Sequence, residues 1–379
     1  MTEYQLTRHL SVDWDSPIKK ERGKCLFVNA LLGTRMIGDD ELWQVLAEYE
    51  SPRPLGESAL ESRAVAANIV CPVDGVAEET ELVRKFEKLA SKILRYRKAE
   101  PAPTVVGKLE QLEELCSPLG CFEPPVHYMW QDPKRLFRVM IDHFRAYQER
   151  EIQTKQVGPM VMNFAKMTLG RPQRNGDFAQ QLCTISTSVV RAERIWAEYP
   201  QGAKILTLGD DDLMSLILTQ RPGYEVDVFE IDRALVRFIK KHMGSSVRVF
   251  SRDLSVGLPE EFRGLYDVVL ADPPYNTEGM EWFIDCCAKG MKQDRSSRLY
   301  LSTYPGLLEN SEHFFGQVED HDLEVEVTHP YFNRYPFPPD TYQITKDGLI
   351  ELGYHPGLIQ ILTEVPYLYA NLYECRRRG

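Results

Sequence analysis

From residue 203 to residue 303 the chain alternates short apolar runs with amphipathic stretches. The runs at 203–208 (AKILTL), 224–229, 247–250, 267–270 and 298–303 have the length and the branched or aromatic content of buried strands. Between them, 213–219, 233–242 and 278–290 read as helices. In 233–242 the charges fall on one face, with Leu235, Phe238 and Ile239 on the other. A helix at 306–317, a sixth strand at 323–329 and a last strand at 367–375 follow. Arg376 to Arg378 read as a solvated tail. Strands that alternate with helices predict a parallel sheet covered on both faces, a Rossmann-like α/β domain.

The first hundred residues follow another pattern. Strands are predicted at 4–12 and 24–29. A helix at 39–50 has Asp39 as its N-cap and Leu42, Val45, Leu46 and Tyr49 on one face. A second helix at 57–68, a short wing or turn starting at 69–71 and a longer charged helix at 78–98 suggest a winged-helix or related small domain. Glu100-Pro101-Ala102-Pro103 is a stiff linker. Mostly helical sequence follows to residue 170, including an amphipathic stretch at 134–148, and Gly158-Pro159 and Arg171-Pro172 break it. The expected division is 1–98, a linker and helical connector at 99–174, and a catalytic domain at 175–379.

The strand ends carry the chemistry. The first ends in Gly209-Asp210-Asp211-Asp212, the second in Glu230 and Asp232, the third leads to Asp253 and Leu254, and the fourth to Asp272-Pro273-Pro274-Tyr275. In open α/β sheets ligands bind outside these C-terminal ends, and a carboxylate about 20 residues after the Gly turn is placed to hold a ribose diol. A single strand-end Asp is more often a helix N-cap than a ligand. Four such ends within one sheet specify a class I methyltransferase-type domain that binds a nucleoside. The prolines of 273–274 stop the fourth strand and present Asp272 and Tyr275 from a rigid turn. A carboxylate, backbone carbonyls and an aromatic face together suit an amine.

The turn at 209–212 lacks the Gly-x-Gly of ordinary methyltransferases and has three consecutive aspartates instead. Close carboxylate pairs repel by about 1–4 kcal/mol at a partly exposed site. The turn is either a helix N-terminus decorated with acids that suit its dipole or a pocket for a cation. It is expected to lie on a solvent-facing rim.

Composition narrows the setting. The 379 residues allow two or three domains, and 43% hydrophobic with 27% charged residues is ordinary for a soluble chain. The net charge of −11 disfavours non-specific nucleic-acid binding and favours a cationic substrate. Helix 57–68 has Arg63 as its only basic residue against Glu57 and Glu61, too little for phosphate contacts. No run approaches roughly 18 apolar residues, so no membrane span is predicted. MTEYQLTRHL lacks the apolar core of a signal peptide. The eight cysteines show no metal-ligand spacing and read as reduced thiols of a cytoplasmic protein without a metal.

Gly209-Asp210-Asp211-Asp212-Leu213, Ser215 and Asp272-Pro273-Pro274-Tyr275, together with the segment 178–192 (FAQQLCTISTSVVRA), resemble the branched-chain polyamine synthases, the N(4)-bis(aminopropyl)spermidine synthase family. The resemblance covers about residues 175–300. Asn276, directly after the second motif, departs from the family pattern. The resemblance implies an N-terminal winged-helix domain, a Rossmann-like catalytic domain, and transfer of an aminopropyl group from decarboxylated S-adenosylmethionine to an amine, releasing methylthioadenosine. It implies that the 210–212 cluster binds and deprotonates the acceptor or holds the donor's amine.

The expected roles then follow. Gly209, Asp210, Glu230, Asp232, Asp253 and Leu254 would line the donor site, with Glu230 on the ribose and Asp253 on the adenine amino group. Asp211, Asp212 and Asp272 would be catalytic, and Pro273 and Tyr275 would orient the attacking nitrogen. The aromatic, Pro-rich segment 331–342 reads as a loop that stacks on adenine, closes over an acceptor, or simply packs. The N-terminal segment weakly resembles small domains that grip a peptide along a sheet edge. That leaves a peptide partner or a homodimer contact open. Two other readings stand beside this one. One is an N-methyltransferase or 3-amino-3-carboxypropyltransferase using intact S-adenosylmethionine on a peptide, small molecule or nucleobase, with Arg191 or Arg252 receiving the donor carboxylate. The other is a binding module whose catalytic domain has decayed.

Overall fold

The computed structural model describes residues 2–6, 10–13, 25–29, 35–67, 69–73, 154–308, 311–336, 347 and 367–378. The helix expected at 78–98, the linker at 100–103 and the stretch at 134–148 lie outside them. The chain forms two compact units; the second is Asn163–Tyr335 with Tyr369–Gly379.

In the first unit the run expected as one strand at 4–12 is two, β1 (Glu3–Leu6) and β2 (Leu10–Asp13), in different sheets. β2 pairs antiparallel with β3 (Cys25–Asn29), and β3 pairs with β4 (Arg35–Gly38), a strand the sequence pattern did not reveal. Helix α1 (Asp40–Glu48) starts where Asp39 accepts from the Glu41 and Leu42 N–H groups, and it buries Leu42, Trp43 and Leu46. β1 lies between β5 (Arg53–Pro54) and β6 (Val70–Pro72), and α2 (Ala59–Ala66) comes between those two in sequence. Ser58 and Glu61 form a capping box at α2, and the buried Tyr49 hydroxyl donates to Glu61 at 2.5 Å.

The second unit holds a seven-stranded sheet. Its strands are β7 (Lys204–Leu208), β8 (Glu225–Glu230), β9 (Val247–Ser251), β10 (Val268–Ala271), β11 (Arg298–Thr303), β12 (Leu323–Pro336) and β13 (Tyr367–Arg377). Their order is β12-β13-β11-β10-β7-β8-β9. β7 to β11 pair in parallel, and β13 runs antiparallel to β11. This is the expected α/β class. From the neighbours β7 and β10 the strand order runs outward in opposite directions, through β8 and β9 on one side and β11 on the other. The gap between them is therefore the topological switch point at which such sheets open a crevice.

Helix α3 (Thr154–Met167) continues past Pro159, so the break expected at 158–159 does not end it. Four helices accompany the sheet up to β11 and β12: α4 (Ile185–Glu198), α5 (Met214–Leu218), α6 (Arg233–His242) and α7 (Thr277–Gly290), followed by α8 (Ser311–Asp320). One core cluster joins Leu206, Leu208, Phe229, Val269, Ile284, Leu299 and Leu301, each at most 1% exposed. Complete burial of each such side chain contributes about 1.5–3 kcal/mol, which fixes the strand ends on which the site is built.

Two features differ from expectation at the C-terminal side. The segment 331–336 continues β12 as strand rather than loop, and 337–342 lies outside the described residues. The basic tail is bound: Arg376 pairs with Glu324 and Glu326, Arg377 donates to the Ala288 and His321 carbonyls, and the Arg378 N–H donates to Asp322 at 2.8 Å. Cys183, Cys286, Cys287 and Cys375 are buried thiols.

Candidate functional site

The acidic turn is built by two left-handed residues. Gly209 has φ +72° and its N–H donates to the Phe229 carbonyl at 2.8 Å; Leu213, fully buried, has φ +55°. For a residue with a side chain that conformation costs roughly 1–2 kcal/mol, so the packing of Leu213 holds it there. Between these two reversals the backbone turns Asp210, Asp211 and Asp212 in different directions.

Asp210 faces inward, 2% exposed. It accepts from the Ser215 N–H at 3.3 Å and from the Ser215 hydroxyl, and its own N–H donates to Glu230 at 2.9 Å. Burial pushes its carboxyl up to about 8; Ser215 opposes the rise, while Glu230 and Asp212 add to it. Asp211 is half-buried and also pushed well above the carboxylate range, by burial first and then by Asp212, Asp272 and Glu230.

Asp212 is not on a solvent-facing rim, as expected from the sequence, but 3% exposed. Its oxygens accept from the Cys183 N–H at 2.8 Å and from Arg191 Nη1 at 3.2 Å, and its carbonyl accepts from the Ser188 hydroxyl at 3.2 Å. Arg191 comes from α4, whose Thr184 cap ties its first turn to β12: the Thr184 N–H donates to the Arg334 carbonyl at 2.8 Å. The second amino group of Arg191 donates to Asn333 Oδ1 at 2.6 Å. A second guanidinium, Arg171, is 4% exposed and lies in the field of Asp212, Asp211 and Asp210, although burial still lowers its pKa.

At the end of β10, Asp272 accepts from the Tyr335 hydroxyl. Burial pushes its carboxyl up to about 7; Asp212 adds to the rise, and Arg191 and the Tyr335 bond oppose it. Pro273 is buried, and the half-buried Tyr275 packs against the core cluster. Asn276 is the N-cap of α7, its Oδ1 accepting from the Gly279 N–H at 2.8 Å. The departure from the family pattern is thus a helix start.

The other two strand ends behave differently. Both Glu230 oxygens accept backbone N–H groups, from Asp210 at 2.9 Å and Asp232 at 2.8 Å, yet burial still raises its pKa. Asp232 caps α6, accepting from the Ala234 N–H at 2.7 Å and from Gln180 at 3.3 Å. Asp253 is exposed and caps the turn at 254–256, and the Ser255 backbone bond lowers its pKa. The Leu254 side chain belongs to the core cluster.

The structure therefore brings Asp210, Asp211, Asp212, Glu230 and Asp272 into one mutually repelling group and gives Asp232 and Asp253 cap duties. It adds Arg171, Asn333 and Tyr335, which the sequence reading did not single out. The only signals for them were the Arg171-Pro172 break and the Asn-Arg-Tyr inside an aromatic run. Arg191 is engaged by Asp212 and Asn333, with its Nε free of partners among the described residues, and the Arg252 side chain is exposed. Buried carboxylates of this kind gain most from a cation, which lowers their pKa and relieves the repulsion. Among the described residues no cluster has the makings of a metal site, and no helix is long and apolar enough to cross a membrane.

Comparison with known proteins bears on this group directly. Residues 160–335 match the family model for the branched-chain polyamine synthase A C-terminal domain. An N(4)-bis(aminopropyl)spermidine synthase of Thermococcus kodakarensis is 28% identical over 144 residues, 36% of this chain and 41% of that one. Another, of Methanocaldococcus jannaschii, is 27% identical over 153 residues, 38% of this chain and 43% of that one. The matched segments thus span less than half the length of these curated relatives. Among solved structures, the branched-chain polyamine synthase C9 mutein of Thermus thermophilus, in complex with N4-aminopropylspermidine and 5'-methylthioadenosine, superposes with a TM-score of 0.51. It is 17% identical and covers 79% of this chain and 92% of that one, a likeness of fold.

Proposed function

We propose, from the match of residues 160–335 to the branched-chain polyamine synthase A C-terminal domain, that the chain transfers an aminopropyl group from decarboxylated S-adenosylmethionine to a polyamine-like amine, releasing methylthioadenosine. The observation that carries the reading is the buried acidic turn. Asp210 and Asp211 are both driven above the carboxylate range, at the strand end where, in this reading, the donor's tail would lie. A tail that ends in an ammonium relieves that repulsion, and a tail that adds a carboxylate increases it by about 1–4 kcal/mol per close pair.

In this reading Glu230 holds the ribose hydroxyls and Asp253 accepts from the adenine amino group. Gly209, Asp210, Asp232 and Leu254 shape the rest of the donor site. Asp211, Asp212 and Asp272 serve the acceptor nitrogen, with the Pro273 carbonyl and the Tyr275 ring orienting it. Transfer is a direct displacement at carbon next to sulfur: the nitrogen lone pair forms the new C–N bond, the C–S bond breaks, and methylthioadenosine leaves with that electron pair. The residues contribute alignment and a neutral amine.

Residues 1–98 are read as a winged-helix-like domain, supported by the three-stranded β5-β1-β6 sheet with α1 and α2. A connector follows at 99–174 and the catalytic domain at 175–379. An extended peptide or a second copy would meet an exposed strand of the N-terminal domain, and in this reading the enzyme is cytoplasmic. Calorimetry with both donors tests the proposal, together with mass spectrometry of the product. At least tenfold tighter binding of the decarboxylated donor is expected, about 1.4 kcal/mol, with a product heavier by one aminopropyl group. Equal or tighter binding of intact S-adenosylmethionine, its carboxylate received by Arg191 or Arg252, would give the site to methyl or aminocarboxypropyl transfer.

A further inference from the structure

The last residues of β12 reach the acidic group twice from one strand face. Asn333, fully buried, accepts from Arg191, which holds Asp212. Two residues on, Tyr335, 3% exposed, donates its hydroxyl to Asp272 Oδ2. Residues i and i+2 of a strand point to the same side, so β12 spans the ends of both β7 and β10. We infer that Tyr335 is a positioning residue that favours the ionised form of Asp272, so that Asp272 can take the proton of an incoming ammonium; this rests on the aminopropyl-transfer reading.

The charged surroundings of Asp272 leave this work to the phenol. Asp212 and Asp211, from the turn after β7, raise the cost of its charge, as does burial. Tyr275, in its own loop, is a neutral phenol at physiological pH, since burial holds it well above its ordinary value. Arg191, from α4, favours the charge but is shared with Asp212 and Asn333. Tyr335 makes the hydrogen bond to the carboxylate. Burial and Asp272 itself hold Tyr335 well above its ordinary value, so it keeps its proton and remains a donor. A hydrogen bond to an ionised group is stronger than one between neutral groups. Its loss corresponds to a rise of roughly one to two pH units in the carboxylate's midpoint.

The test follows Asp272 without relying on turnover. Protein carrying 13C-carboxyl aspartate is titrated by NMR, with the Asp272 signal assigned by its absence in Asp272→Asn. In Tyr335→Phe the Asp272 midpoint should rise by about one unit or more. Replacing Tyr335 with 3-fluorotyrosine, a more acidic phenol of nearly the same shape, should move it down. A midpoint that stays put in a folded Tyr335→Phe protein, or moves the same way in both variants, overturns the proposal. Failure of Tyr335→Phe to fold leaves the fluorotyrosine arm decisive. In a second arm, the acid limb of kcat/KM for aminopropyl transfer should move with the NMR midpoint. A wild-type protein without such turnover refutes the functional reading, while the titration still decides the role of Tyr335.

Discussion

At the ends of β7 and β10, Asp210, Asp211 and Asp272 are all pushed above the carboxylate range, whereas at the end of β9 Asp253 is held below it. All four follow a strand of one sheet, and in sequence they look alike. The difference is what each oxygen is asked to satisfy. Asp253 is exposed, and it and the buried Asp232 accept N–H groups at the starts of helical turns, a duty that stabilises a carboxylate. Asp210, Asp211 and Asp272 are held among other carboxylates in an enclosed space, with few donors to spare. The first kind of acid supports the fold, and the second kind makes a place for a cation.

The sharpest way to break that contrast is Asp212→Ala. Asp212 is the acid that the cluster has compensated, through Arg191 and the Cys183 N–H. Removing it leaves a buried guanidinium with Asn333 as its remaining partner, and stranding one member of a buried pair costs about 3–5 kcal/mol. Denaturant unfolding should show a loss of that size, with turnover abolished. A loss below roughly 1 kcal/mol, within the range of an ordinary cap, would mean that Asp212 is no more embedded than Asp253.

A second effect is carried by pH. Below about pH 4 Asp210 and Asp272 are protonated whether the chain is folded or not. Above that, the unfolded chain releases both protons, while the folded chain keeps them up to about 7 for Asp272 and about 8 for Asp210. The folded state therefore binds more protons through this window, and stability must fall as pH rises. The slope is at most about 1.4 kcal/mol per pH unit for each group, and the share of these two levels off above about pH 8, where both are ionised in the folded state too. Urea unfolding between pH 5 and 9 measures it. Asp210→Asn, which can still accept from Ser215, should flatten the part between 7 and 8. A polyamine added at pH 7 should release protons, seen as a buffer-dependent heat of binding. Stability that rises across the window would refute the buried, protonated carboxyls.

The parts legible in sequence were those whose information is local. Arg233–His242 and Arg298–Thr303 have the bounds that periodicity predicts, and Asp39 caps α1 as its position suggests. The apolar runs 203–208 and 267–270 placed the two motifs at strand ends, which the structure shows to be adjacent. Illegible were the contacts that close over long distances in the chain. Arg191 meets Asn333 across 142 positions, and Tyr335 meets Asp272 across 63. No spacing rule links such pairs. For the same reason 331–336 read as an aromatic loop: its strand character depends on the sheet neighbour β13, far along the chain. The run at 4–12 failed in another way, because apolar periodicity does not show where a strand leaves one sheet for another.

The smallest expected effect is at Asp253, and it separates a cap from a ligand contact. One oxygen of Asp253 accepts from the Ser255 N–H at 2.9 Å in a three-residue turn. Asn caps about as well as Asp with its single oxygen, so Asp253→Asn should keep the stability; it replaces the second oxygen by an amide N–H, which cannot accept from an adenine amino group. Asp253→Ala loses the cap, about 0.5–1 kcal/mol at so exposed a turn. If the other oxygen receives the adenine amino group, Ala also loses one hydrogen bond, worth about 0.5–1.5 kcal/mol, or roughly two- to tenfold in affinity. Calorimetry of methylthioadenosine against the three proteins gives both answers. An Ala variant that binds like wild type leaves Asp253 a cap alone. An Asn variant that keeps its stability but loses affinity as strongly as Ala would mean that the second oxygen accepts from the ligand, which would move Asp253 from the supporting acids to those that meet a ligand.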